Sequence, residues 1–217
     1  PYTTLFRSTG RKLFVKALLE EGVDTIFAYP GGMITDILDE LYKTPQIKVV
    51  LPRHEQALIH EAEGYARATG KTAVCLVTSG PGATNTITGI ADAFYDSIPL
   101  VIFTGQVLQN LIGNDAFQEV DIVGMTRSVV KYGVTVSDRN KLGRSIKMAF
   151  QIAPSGKPGP VLIDIPKDIQ QAMCEYEPRA RILPDEKQPA KQIRIEEAAR
   201  TINACKKPYI YVGGGVI

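Results

Sequence analysis

From Gly10 onward the chain alternates between two kinds of apolar pattern. Leu13, Phe14, Ala17, Leu18 and Leu19 recur at the spacing of one helical face, and Gly22 follows as a stop signal. Thr25-Ile26-Phe27-Ala28-Tyr29 is then a short β-type run, closed by Pro30-Gly31-Gly32. The alternation repeats through a helix from Ile34 to Tyr42, an apolar run from Ile47 to Leu51, and an Ala- and Glu-rich helix from His54 to Thr69. A strand from Ala73 to Val77, a helix from Ala83 to Tyr95 and a strand from Leu100 to Thr104 come next. After a polar loop through Asn114, the pattern predicts a helix near Val120 to Val130, the run Val134 to Val136, a helix from Arg139 to Ile152 and a strand from Val161 to Ile165. Strands that read as unbroken apolar runs, separated by helices, predict a parallel sheet covered on both faces. Right-handed crossovers then make residues 10–172 a doubly wound α/β domain.

The flanks read differently. Residues 1–9 carry no period and are expected to be a tail or an artefact. Glu175 to Gln192 is charged and contains Pro178, Pro184 and Pro189, so residues 173–192 read as a linker. A helix from Ile195 to Cys205 and a strand from Tyr209 to Val212 predict that residues 193–217 open a second α/β domain. Because the chain starts at Pro1 and stops at Gly213-Gly214-Gly215-Val216-Ile217, just where that strand should hand over to a helix, it reads as a piece of a longer protein.

Composition narrows the class. With 217 residues, 44% hydrophobic and 22% charged, the chain is globular. Its 25 basic and 23 acidic side chains leave a net charge of +2, and no basic run exceeds a pair, so nothing resembles a nucleic-acid footprint. The longest apolar runs, such as Ile98 to Phe103, fall far short of the ~20 residues of a membrane helix, and no charged-then-apolar leader precedes them. Cys75, Cys174 and Cys205 share no metal-ligand or redox spacing and read as reduced cytosolic thiols.

Three apparent motifs fail. Gly64 to Thr72 looks like a phosphate-binding loop, but it has five residues between its glycines where the motif has four, and it follows a helix. His54-Glu55 would open a zinc-protease helix motif if position 58 were histidine; it is Leu58. The terminal glycines are explained equally well by a tight turn.

Four segments survive, because ligands of open parallel sheets bind at the carboxyl ends of the strands. These are Tyr29-Pro30-Gly31-Gly32, Arg53-His54-Glu55-Gln56, Thr78 to Asn85, and Thr104-Gly105-Gln106, and they are expected to converge on one rim. Glu55 begins a helix, where the dipole alone would favour a carboxylate, but its neighbours make it a candidate functional group. In "SGPGATN", Gly80, Pro81 and Gly82 let backbone N–H groups approach a ligand closely, or simply form a strand-to-helix turn.

The succession "YPGG", "RHEQ", "GYARATGK", "TSGPGATN", "DSIPLVIFTGQV", "DAFQEVD", "GPVLIDIPKDIQ" and "YVGGG" resembles the large catalytic subunit of acetolactate synthase over residues 10–217. The resemblance implies thiamine diphosphate with Mg²⁺, and decarboxylation of pyruvate followed by condensation with a second 2-oxo acid, pyruvate or 2-oxobutyrate. This is the first common step of branched-chain amino acid biosynthesis. Residues 10–172 would bind the aminopyrimidine ring. Glu55 would hydrogen-bond that ring and favour the tautomer that removes the thiazolium proton, a task a carboxyl performs and an amide does not. By the same matching, Gly32 would lie by the reacting carbon, and Gln118 with Phe117 would line the substrate approach. Gln106, Gly82 and Asn85 would sit on the thiamine diphosphate side, with Met33 and Leu108 at the entrance in place of the smaller residues usual there. FAD without a redox role is also implied, with Ser97, Lys157, Lys167 and Gly214 on its side; Lys157 stands where Arg is usual and lacks its bidentate fork.

The chain itself would hold no metal. A homodimer or tetramer, a regulatory small subunit, and a cytoplasmic location in bacteria or a plastid or mitochondrial one in eukaryotes are implied in the same way. Glyoxylate carboligase, a 2-oxo acid decarboxylase and the flavin-independent catabolic synthase stay open as alternatives. So does a non-catalytic dimerisation module, since no Gly-Asp-Gly metal motif occurs in the 217 residues.

Overall fold

The structure, a computed structural model, describes residues 6–178, 180–181 and 189–216. They fall into two units, residues 1–182 and 183–217.

In chain order the first unit contains β1 (Phe6–Thr9), α1 (Gly10–Glu20), β2 (Thr25–Ala28), α2 (Thr35–Tyr42), β3 (Lys48–Val50), α3 (Glu55–Thr69), β4 (Ala73–Val77), α4 (Pro81–Thr84) and α5 (Ile87–Tyr95). There follow β5 (Leu100–Gln106), α6 (Ile122–Thr126), β6 (Tyr132–Thr135), α7 (Leu142–Ile152), β7 (Val161–Pro166), α8 (Lys167–Gln171) and β8 (Met173–Tyr176). Six strands form a parallel sheet in the order β3-β2-β4-β5-β7-β6. This is the expected doubly wound architecture.

The apolar runs are continuous because successive strand residues enter two different cores. On β5, Val101 and Phe103 pack with α1, α2 and α7, whereas Leu100 and Ile102 pack with α3 and α5. Phe14 of α1 meets Phe103 edge-on, with ring centroids 4.7 Å apart. A strand buried on both faces has no polar alternation to show.

Several boundaries differ from expectation. The helix predicted over Ala83 to Tyr95 is two, broken where the Thr86 hydroxyl donates to the carbonyl of Ala83. The helix near Val120 to Val130 contracts to α6, capped by Asp121, whose Oδ1 accepts from Gly124 N at 2.8 Å. Residues 6–9 are not a loose tail: β1 pairs antiparallel with β8, Phe6 opposite Tyr176 and Thr9 opposite Met173. The linker therefore begins after β8, whose Cys174 and Tyr176 are buried against the α1 and α7 side. A four-residue pair assembled from opposite ends of a domain has no local pattern, because its partner is what makes it a strand. Residues 1–5 lie outside the described residues.

In the second unit α9 (Gln192–Ala204) replaces the helix predicted from Ile195. Tyr209 to Val212 is not a strand, and a single turn spans Gly214–Val216. An extended segment needs a neighbour for its N–H and C=O groups, and among the described residues of this unit there is no second strand. Among the described residues no helix is long and apolar enough to cross a membrane.

Candidate functional site

The loops after β2, β4 and β5 and the start of α3, which follows β3, meet at the carboxyl rim of the sheet. Glu55 is the first residue of α3 and only 8% exposed. His54 precedes it in extended conformation and caps the helix, its Nδ1 accepting from Gln56 N at 3.1 Å. That cap orients Glu55 towards the loop after β4, where Asn85 Nδ2 donates to Glu55 Oε2 at 3.0 Å. The other oxygen, Oε1, faces Gly82: a side chain there would start 3.4 Å from it. Among the described residues Oε1 accepts no hydrogen bond, and it is not one of the fully buried unpartnered atoms, so this oxygen stays open at the rim.

Thr78 holds the loops together. Its Oγ1 accepts from Met33 N at 3.2 Å, and a Cβ at Gly31 would fall 2.4 Å from its side chain. Gly31 is extended and needs no unusual dihedral; close approach is the reason for glycine here. Gly32 is open, with nothing within 4 Å of an added Cβ. Lys167 reaches over from α8, its Nζ donating to Gly32 O at 2.9 Å and Thr35 Oγ1 at 2.7 Å and pairing with Asp36 at 2.8 Å. The buried Gln170 donates to Met33 O at 2.7 Å.

Across the rim, Gly80 has φ +58° and ψ −121°, and an added Cβ would lie 2.8 Å from Gln118 O. Gln118 itself has φ +61° and Asp115 +53°, so the 113–121 loop carries backbone strain beside the glycine turn. Phe117 projects into solvent at 85% exposure, and Leu108 is 38% exposed.

Gln106 sits at the rim end of β5, but its amide is used internally. Its Nε2 donates to Val120 O at 2.9 Å and Asp164 Oδ2 at 3.1 Å, and its Oε1 accepts from Val107 N at 2.9 Å. Its amide therefore supports the loop, with both Nε2 and Oε1 engaged. Asp164 also accepts from Thr104 at 2.7 Å and Thr135 at 3.1 Å. Sequence reading missed Asp164 and Gln170; the available signal for Asp164 was a lone charge inside the apolar run Val161–Pro166.

Burial pushes the Asp164 carboxyl up to about 6 despite its three donors. The folded state then holds a proton that the unfolded chain, with an ordinary carboxyl near 3.8, releases earlier. The associated stability is fully present below about pH 4 and is lost as pH rises through 6, for a total of about 3 kcal/mol. Subtracting the pH–stability curve of Asp164→Asn from that of the wild type is expected to leave this downward limb. A flat difference between pH 4 and 7 would contradict it.

Of the residues expected on a flavin side, the three in the first unit do not gather. Ser97 (φ +61°) precedes β5 and Lys157 precedes β7, so both lie at the amino end of the sheet, where Lys157 Nζ donates to Phe94 O at 2.9 Å and stacks 4.7 Å from its ring. Lys167 is at the opposite rim with Glu55. Gly214 belongs to the second unit.

A doubly wound parallel sheet whose carboxyl rim joins glycine turns to a half-satisfied buried carboxylate is an α/β cofactor-binding domain. The model for the N-terminal TPP binding domain of thiamine pyrophosphate enzymes matches residues 8–125, over half the chain, and the chain belongs to that family. It is 48% identical over 213 residues to the chloroplastic acetolactate synthase of Arabidopsis thaliana, an alignment that covers 96% of this chain and 32% of that protein. It is 46% identical over 225 residues to the mitochondrial acetolactate synthase catalytic subunit of Saccharomyces cerevisiae, covering 99% and 33%. With the acetolactate synthase isozyme 3 large subunit of Escherichia coli it shares 46% over 222 residues, covering 96% and 37%. The chain thus spans about a third of the length of these relatives.

Proposed function

We propose that this chain is the aminopyrimidine-binding part of an acetolactate synthase catalytic subunit. The observation that carries the reading is Glu55, buried at the sheet rim with one oxygen held by Asn85 and the other bare beside Gly82. That donor set suits the pyrimidine of thiamine diphosphate: a planar ring can enter where Gly82 has no side chain, and a carboxyl can share a proton with a ring nitrogen. When bound, the cofactor supplies the carbanion chemistry. Glu55 holds the proton at the ring; Asn85 fixes the orientation of Glu55; Gly32, open at the rim, leaves room for the reacting end. Gln118 and Phe117 line the approach for pyruvate and for pyruvate or 2-oxobutyrate as second substrate, with Met33 and Leu108 at the entrance.

The diphosphate and its Mg²⁺ would be held by a domain beyond these residues, supplied in a homodimer or tetramer. A small subunit fits the "large subunit" in the name of the Escherichia coli relative. The relatives' names also support a bacterial cytoplasmic, plastid or mitochondrial setting. For FAD the support is the sequence resemblance alone: Ser97 and Lys157 lie at the end of the sheet opposite Lys167, and Lys157 has Phe94 as its partner.

The test is product identity. The enzyme carrying this chain, given pyruvate, thiamine diphosphate and Mg²⁺, is expected to form acetolactate, while the 217-residue chain alone forms none. Acetaldehyde as the product would overturn the reading in favour of a decarboxylase.

A further inference from the structure

A second group of chemically competent side chains lies away from the Glu55 rim, where α3 meets α5. His60 and Glu63 are three residues apart on α3, and Asp92 meets them from α5. His60 Nδ1 is 3.5 Å from Glu63 Oε2 and 3.6 Å from Asp92 Oδ2, and the three ligand atoms all lie within 4.8 Å of one another. Both separations exceed the roughly 2.7–3.2 Å of a normal hydrogen bond. They are close to the edge of a tetrahedron around an ion with ligands at about 2.0–2.1 Å, an edge of about 3.4 Å.

Glu63 supplies the independent observation. It is 5% exposed, its carboxylate is turned into the group, and its Oε1 is buried with no hydrogen-bond partner. A buried carboxylate oxygen without a partner is costly; among the described residues no Lys or Arg pairs with Glu63, and the partner of its Oε2, the His60 imidazole, is cationic only when protonated. His60 and Asp92 are 42% and 52% exposed in their side chains, so the group opens to solvent on one side. Such an opening gives an ion a path in and leaves a position for water. One imidazole nitrogen and two carboxylates form a donor set for first-row divalent cations.

We propose that His60, Glu63 and Asp92 bind a divalent transition cation of the Zn²⁺ class, with water completing a tetrahedral shell. The ion would tie α3 to α5, and α3 is the helix whose first residue is Glu55.

The experiment is calorimetric titration of the chain with Zn²⁺ after chelator treatment, in a Cys205→Ser background that removes the exposed thiol. One ion per chain at micromolar affinity is expected, and Co²⁺ in its place should give the visible absorption of a tetrahedral site. His60→Ala and Asp92→Asn, both at exposed positions, should each weaken binding at least ~10-fold, as loss of a ligand requires. Folding of each variant is checked by circular dichroism. Absence of Zn²⁺ binding up to millimolar concentration, unchanged affinity in His60→Ala, or binding that appears only with Cys205 present would each overturn the proposal.

Discussion

Glu55→Gln in the enzyme that carries this chain is expected to lower turnover at least ~10²-fold while leaving the fold intact, the scale of a general acid–base contribution. Glutamine fills the same space. Its amide oxygen can turn to accept from Asn85 as Glu55 Oε2 does at 3.0 Å, so the tie to the loop after β4 survives. The NH₂ group is then left beside Gly82, where Oε1 now stands, and it can only donate. A ring nitrogen that must exchange a proton there meets a group unable to take or return one. The change in stability should be small, since an exchange of charge for amide at a helix N-terminus is worth at most about 1 kcal/mol. Acetolactate formation and the denaturation midpoint, measured on the same preparation, check both halves. Near-normal turnover in a folded variant would remove Glu55 from the mechanism.

Gly80→Ala is expected to be the most disruptive small substitution at the rim, costing at least about 2 kcal/mol of stability. Two effects act together. The backbone at φ +58° and ψ −121° is one that an L-residue adopts only under strain, and the new methyl would start 2.8–2.9 Å from the O, Cα and Cβ of Gln118. Gln118 cannot yield easily, because its own φ is +61° and its loop is anchored by Gln106 Nε2 on Val120 O. Gly156 separates the effects. It has φ +54° and open space around an added Cβ, so Gly156→Ala carries the dihedral cost alone, about 1 kcal/mol. Urea denaturation of the two variants gives the comparison; equal losses would mean that the Gly80–Gln118 approach does not matter. In the intact enzyme Gly80→Ala should also lower turnover, by displacing Gln118 and Phe117.

How these residues could be read in advance differed from one to the next. The place of Glu55 at the rim was legible because three signals coincide: a helix start, a preceding strand, and glycine loops elsewhere in the chain that a parallel sheet must bring to the same end. Gln106 was legible only as a position. Its side chain turns inward because Asp164 on the neighbouring strand needs donors, and which strand neighbours β5 is a matter of topology. The contraction of the Val120 to Val130 helix depends on the Asp121 cap, and the break before α5 on the Thr86 hydroxyl donating back to Ala83 O; both compete with apolar periodicity and win locally.

What the amino-acid sequence determined by itself is what repeats at short range. Helical faces, doubly buried strands and glycine turns each depend on residues within a few positions of one another, and together they imply the parallel sheet and its rim. Only the tertiary structure decided the contacts whose partners are far apart in the chain. These are the pairing of Phe6–Thr9 with Met173–Tyr176, the reach of Lys167 to Gly32, the separation of Lys167 from Ser97 and Lys157 at opposite ends of the sheet, and the meeting of His60, Glu63 and Asp92. The physical reason is the same in each case. A side chain's chemistry is local, but its partners and its burial are set by strand order and helix packing, which no single stretch of sequence contains.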